Sequence, residues 1–145
     1  MSAAALLDIN VLMALAWDNH PQFQAAEQWF LAQARPWASC PLTELGFLRL
    51  SSNPRIIKTA GSPELAHAAL RRLRQLPGHQ FWVNNFSPAD EPLFAELKGH
   101  QQITDACLLL LARRHKGQLA SFDAGMKALA QEWLGDEQRV LLIPH

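Results

Sequence analysis

The chain is poor in the residues that mark several protein classes. Among its 145 residues there are two cysteines, Cys40 and Cys107, far apart and each set among apolar neighbours. That argues against a disulfide scaffold and predicts buried free thiols. Six histidines are present, but no pair of them has zinc-ligand spacing, so a zinc site is disfavoured. There is no glycine-rich phosphate loop of the GxGxxG or GxxxxGK[ST] kind, which disfavours a dinucleotide-binding or P-loop enzyme. No apolar run approaches the roughly 20 residues of a membrane helix. The first 34 residues carry no lysine or arginine, and Asp8 interrupts the apolar opening stretch. A signal peptide needs a basic start and an uninterrupted apolar segment, so a cytoplasmic protein is expected.

Net charge is also missing: 13 basic and 13 acidic residues cancel. A general nucleic-acid coat would carry a basic excess, so any such contact has to come from a local patch. What remains is ordinary globular material, 49% hydrophobic and 18% charged. A chain of this length suits one domain, here residues 1–145, and can bury roughly 70% of its unfolded surface.

The pattern alternates short apolar segments with amphipathic ones. Residues 3–7, 37–40, 80–83, 118–122 and 139–143 read as strands. Helices are predicted over 9–17, 22–34, 41–52, 62–75, 88–98 and 104–116, with one more opening at Asp123. Short apolar strands between helices predict an α/β fold with a central parallel sheet covered on both faces.

In such sheets, sites form beyond the carboxyl ends of the strands. Asp8 ends the first strand, Asp123 follows the fourth, Glu44 opens the helix after WASC, and Asp105 opens another helix. All four acids can therefore face one edge. Asp8 carries the strongest signal, because a carboxylate inside LLDINVLMALAW has no cation nearby in sequence and burial without a partner costs several kcal/mol. Asp105 and Asp123 also suit plain helix capping, as does Thr104. Together, four converging carboxylates would repel one another and raise their own pKa values. A hard divalent cation, Mg²⁺ or Mn²⁺, resolves that repulsion, and the chemistry it serves is phosphodiester hydrolysis.

The pieces LLDINVLMAL, TELGFLRLSSNP, ITDACLLLLARRHKGQLASFD and VLLIP resemble PIN-domain ribonucleases, in particular the VapC toxins of toxin–antitoxin systems. They come in the family's order and span nearly the whole chain. The resemblance implies a three-layer α/β/α sandwich with a central parallel sheet of about five strands. It implies Mg²⁺- or Mn²⁺-dependent endoribonuclease activity, with RNA as substrate, a homodimer, and a VapB-type antitoxin as inhibitor. Asp8, Glu44, Asp105 and Asp123 match the acidic quartet, Asn10 the polar residue of the first motif, and Thr104 and Ser121 the hydroxyl positions. Asp8, Asp105 and Asp123 are the expected metal ligands, with Glu44 completing the shell or positioning water.

Arg49 and Arg55 are the expected phosphate-binding residues, while Arg71, Arg72 and Arg74 read as a solvated face or an interface. Of the five tryptophans, Trp29, with Phe30 beside it, is expected at a groove for a partner helix. A catalytically silent PIN-like binding module is the alternative, against which the four intact acids count. A haloacid-dehalogenase phosphatase would need a second aspartate where Asn10 stands, and a receiver domain an acidic pair before its first helix.

Overall fold

A computed structural model describes residues 3–33, 35–58 and 61–145. Five short strands form one parallel sheet: β1 (Ala5–Leu7), β2 (Trp37–Ser39), β3 (His79–Phe81), β4 (Gln118–Ser121) and β5 (Val140–Leu142). The strand order is β3-β2-β1-β4-β5, so β1 is central and neighbours both β2 and β4. Ala5 pairs with Trp37 on one side and Gln118 on the other, which sets the β1 and β4 ends at one edge. Six helices cover it: α1 (Ile9–Ala16), α2 (Phe23–Ala32), α3 (Pro41–Ser51), α4 (Pro63–Arg74), α5 (Ile103–Arg114) and α6 (Gly125–Leu134).

The three layers follow from strand periodicity. Successive strand residues point to opposite faces. Ala5, Leu7, Trp37 and Ala120 therefore join a core with Val11, Trp29, Phe47 and Leu70 from the first four helices. Leu6, Ala38 and Leu119 join a second core with Leu108, Leu111 and Met126 from α5 and α6. The sheet is apolar on both faces, as the unbroken apolar runs predict.

Local signals place most helix ends. Ser62 Oγ accepts from Leu65 N at 3.2 Å and Pro63 follows, a capped start for α4. At α3, Cys40 N donates to Thr43 Oγ1 at 3.1 Å. Gly135, at φ 64°, closes α6 in the left-handed region. Gly46 has another role: a Cβ there would sit 2.5 Å from Ile9 Cδ1, so any side chain would force the tip of Ile9 to shift. That contact sets the start of α1 against the middle of α3.

Several expectations need correction. Residues 88–98 form no α-helix but two short 3₁₀ turns, Pro88–Asp90 and Pro92–Ala95. Pro92 supplies no N–H and pushes Glu91 into extended backbone, φ −104° and ψ 112°, which breaks the run. The third strand is His79–Phe81 rather than 80–83. Helix α2 ends at Ala32, and Ala34, inside the expected range, lies outside the described residues. Thr104 caps nothing, because α5 starts one residue earlier, at Ile103. Cys40 is buried and unpaired as expected, but Cys107 is only partly buried.

Candidate active site

Asp8 stands between the end of β1 and the start of α1. Its backbone N donates to Ala120 O at 3.0 Å, which pins it to β4. One carboxylate oxygen, Oδ1, accepts from Ile9 N at 2.8 Å. The other, Oδ2, accepts from Ser121 Oγ at 3.0 Å. Ser121 is itself buried at the end of β4, and its Oγ also accepts from Asp123 N at 3.1 Å. One hydroxyl therefore ties the first acid to the backbone of the last. Asp123 is exposed, and its Oδ1 accepts from Gly125 N at 2.8 Å, a local turn just ahead of α6. Asp105 sits in the first turn of α5, partly buried, with no hydrogen-bonded partner for its carboxylate among the described residues.

Asp8 and Asp105 both feel the charge of Asp123. Burial pushes the Asp8 carboxyl above its ordinary range, and the charge of Asp123 adds to this, against the Ile9 and Ser121 hydrogen bonds. Burial, then the charges of Asp8 and Asp123, push Asp105 up to about 6. No cationic side chain pairs with any of the three among the described residues. Yet they are not closed into a cage: no group of three or more acid, histidine or cysteine side chains is set to enclose an ion among the described residues. The donor set still suits a hard divalent cation. It is all carboxylate and hydroxyl oxygen, and Mg²⁺ keeps most of its waters and takes only one or two carboxylates.

Glu44 lies elsewhere. From the first turn of α3 its Oε2 accepts from Ser39 Oγ at 2.6 Å and faces Arg74 Nε at 3.8 Å. Ser39 Oγ is also 2.7 Å from His79 Nε2. A carboxylate cannot donate, so the serine proton goes to Glu44 and His79 must donate from Nε2. His79 packs on Trp37 with ring centroids 4.5 Å apart, and burial with the Arg74 charge lowers its pKa, partly offset by Glu44. Sequence reasoning missed Ser39, Arg74 and His79 as neighbours of Glu44. The available signal was Ser39 closing the WASC strand one helix turn before Glu44.

Of the remaining candidates, some lie at this edge and others away from it. Asn10 is exposed in the first turn of α1, with no side-chain partner among the described residues. Thr104 and Arg49 line one small cavity with Ile9, Leu42, Leu45 and Gly46, directly beside the Asp8 and Asp105 helix starts. Arg55 is exposed past the far end of α3, where its backbone N donates to Asn53 Oδ1 at 2.9 Å. Arg114 pairs with Glu91, at the opposite end of α5 from Asp105. The expected Trp29–Phe30 groove forms in part. Trp29, though packed on the first core, lines a groove with Gln28, Ala32, Pro144 and His145, whereas Phe30 packs edge-on against Trp37 with centroids 5.9 Å apart.

The PIN domain family matches residues 5–132. Ribonuclease VapC38 of Mycobacterium tuberculosis is 46% identical over 131 residues, covering 88% of this chain and 91% of the relative. Ribonuclease VapC39 of the same species is 40% identical over 130 residues, covering 84% and 90%. Ribonuclease VapC29, also from that species, is 36% identical over 124 residues, covering 86% and 89%.

Proposed function

The chain belongs to the PIN-domain family, in its VapC branch, and on that footing we propose that it is an endoribonuclease acting as one domain over residues 1–145. The observation that supports this best is that Asp8 and Asp105 are both raised by burial and by neighbouring acid charges, Asp123 among them, with no cationic side chain paired to any of the three among the described residues. In this reading those three hold Mg²⁺ or Mn²⁺. A divalent cation there would polarise the scissile phosphodiester and make a water acidic enough to attack it.

The chain's own residues prepare that edge. Ser121 fixes the Asp8 carboxylate and the Asp123 backbone in one arrangement. Asp105, held near 6 by burial and the other two acids while no cation is bound, would give up that proton to a divalent cation, so cation binding there should strengthen as pH rises through 6. Thr104 lines the approach, Asn10 is exposed one residue past Ile9 in the first turn of α1, and Arg49 would supply a cation for a substrate phosphate beside the Ile9–Thr104 cavity. Glu44 serves from the neighbouring strand pair. The reading carries the partners the resemblance implies, a homodimer and a VapB-type antitoxin, in the cytoplasm. Leu45 at 65% exposure and Ile103 at 47%, both beside the acids, suit a protein contact there. No helix among the described residues is long and apolar enough to cross a membrane.

The test is cleavage of total RNA by purified protein, wild type beside Asp8→Asn, with Mg²⁺, Mn²⁺ or chelator. Cutting that needs the cation and vanishes in the variant is the expected outcome. RNA binding with no cutting under any condition would replace this reading with a binding module.

A further inference from the structure

A second cavity, of about 380 Å³, opens on the β3 side of the sheet, lined by His67, Arg71, Arg74, Gln75 and His79. Its wall is one helical stripe: positions 67, 71, 74 and 75 recur at the spacing that brings residues onto one face of α4. The three arginines at the end of that helix therefore divide. Arg71 and Arg74 face this cavity, whereas Arg72 lines a separate groove with Leu15, Ala16 and Leu76.

Charge in the cavity exceeds what the helix end explains. A helix C-terminus carries about half a negative charge, and Glu44 supplies one more against Arg74. Arg71 and Arg74 together bring two positive charges, so a positive balance is left. Arg71 has no carboxylate partner among the described residues. The wall is also ordered. Arg74 lies 5.4 Å from the Phe81 ring centroid and reaches Glu44, while His79 is held by Trp37 and Ser39. Strand β3 is two places from β1, about 10 Å across the sheet, and His79 is level with Trp37 and Ala5, so its end of the cavity is also set back about 10 Å along the strands from Asp8. Arg74 links the two sites through Glu44.

We propose that this cavity binds a backbone phosphate of the RNA strand, a few nucleotides along from the phosphate cut at the aspartates, and so sets the direction in which substrate runs over the β1–β2–β3 half of the molecule. The inference rests on the ribonuclease reading. Two guanidiniums on one helix face suit a phosphate diester, which offers its oxygens to forked donors without needing base contacts.

The test measures binding of a short mixed-sequence single-stranded RNA against salt in chelator, in an Asp8→Asn background that does not cut. Arg71→Gln should weaken binding on the order of fivefold at low salt and reduce the slope of log K against log salt by about 0.7. Arg72→Gln removes the same charge from the same helix turn, outside the cavity, and should change neither. His67→Gln should weaken binding less than Arg71→Gln does. Equal effects of Arg71→Gln and Arg72→Gln would reduce the site to net charge and overturn it. So would an Arg71→Gln variant that keeps RNA affinity but loses binding of a polyglutamate peptide, which would mark a protein-binding patch. Wild-type cleavage of total RNA, run alongside, separates the two readings. Cutting with an unchanged Arg71→Gln slope sinks only the phosphate site, whereas absent cutting sinks the nuclease reading.

Discussion

The two halves of the sheet's carboxyl edge carry the same residue types in opposite electrical settings. At β1 and β4, one hydroxyl joins the Asp8 carboxylate to the Asp123 backbone, and burial with the neighbouring acid charges raises the pKa of Asp8 and of Asp105, with no cationic partner among the described residues. At β2 and β3, Glu44 has a hydroxyl at 2.6 Å, a guanidinium at 3.8 Å and, through Ser39, an imidazole. A motif that lists four acids in a row treats them as one set. The structure sets Glu44, whose charge Arg74 answers, apart from three aspartates that have no cationic partner among the described residues.

The sharpest way to break this comparison is to remove one acid from each half. Asp8→Asn should lower metal-dependent RNA cleavage by more than the ~10–100-fold typical of losing an outer partner to a metal ligand. Glu44→Gln should lower it less and should change RNA affinity as well, because the Arg74 wall loses its anchor. Comparing kcat with KM for the two variants reads the difference. If both acids cost the same, all in kcat, the division of the quartet is wrong.

The hydroxyls offer a smaller contrast of the same kind. Ser121→Ala removes the one group joining Asp8 to Asp123, and cleavage should fall by roughly 10–100-fold. Ser39→Ala leaves Glu44 with Arg74 and should cost less than tenfold. Thermal melts of both proteins check that neither effect is unfolding.

Part of this division could be read from sequence. Asp8 inside an apolar run, Asp105 in TDA and Asp123 in SFD were each placed by strand ends and helix starts, and the parallel sheet followed from apolar segments of strand length. Ser121 was legible as a hydroxyl position, though not as the bridge it makes, because that bridge spans 113 residues of chain. Glu44's partners were hidden for the same reason. Arg74 and His79 lie some 30 residues downstream and meet it only once β3 docks on β2. The 88–98 helix failed on local chemistry, at Pro92, where amphipathic composition was weighed above a missing N–H. Arg71, Arg72 and Arg74 were read as one solvated face or interface, although their spacing already sets Arg72 apart from the other two.

The weakest contrast is in stability, and its sign follows from Asp105. The folded protein keeps that proton until about pH 6, whereas the unfolded chain releases it near 3.8. Between these values the folded state binds more protons, so stability falls as pH rises through the window and stays lower above it. Asp8 is raised too and acts in the same direction. Melting temperature in chelator should therefore decline from about pH 4 to about pH 6.5 in wild type, and this decline should be shallower in Asp105→Asn. Because the group is half exposed, water screens much of the effect, and the difference should be only a few degrees. Excess Mg²⁺ at pH 7 should return roughly that amount to wild type and little to Asp105→Asn. Glu44→Gln supplies the comparison. If the aspartates are the cation's partners, its melting temperature should still rise with Mg²⁺ as wild type does, and loss of that rise would place Glu44 among the ligands and close the four acids into one site.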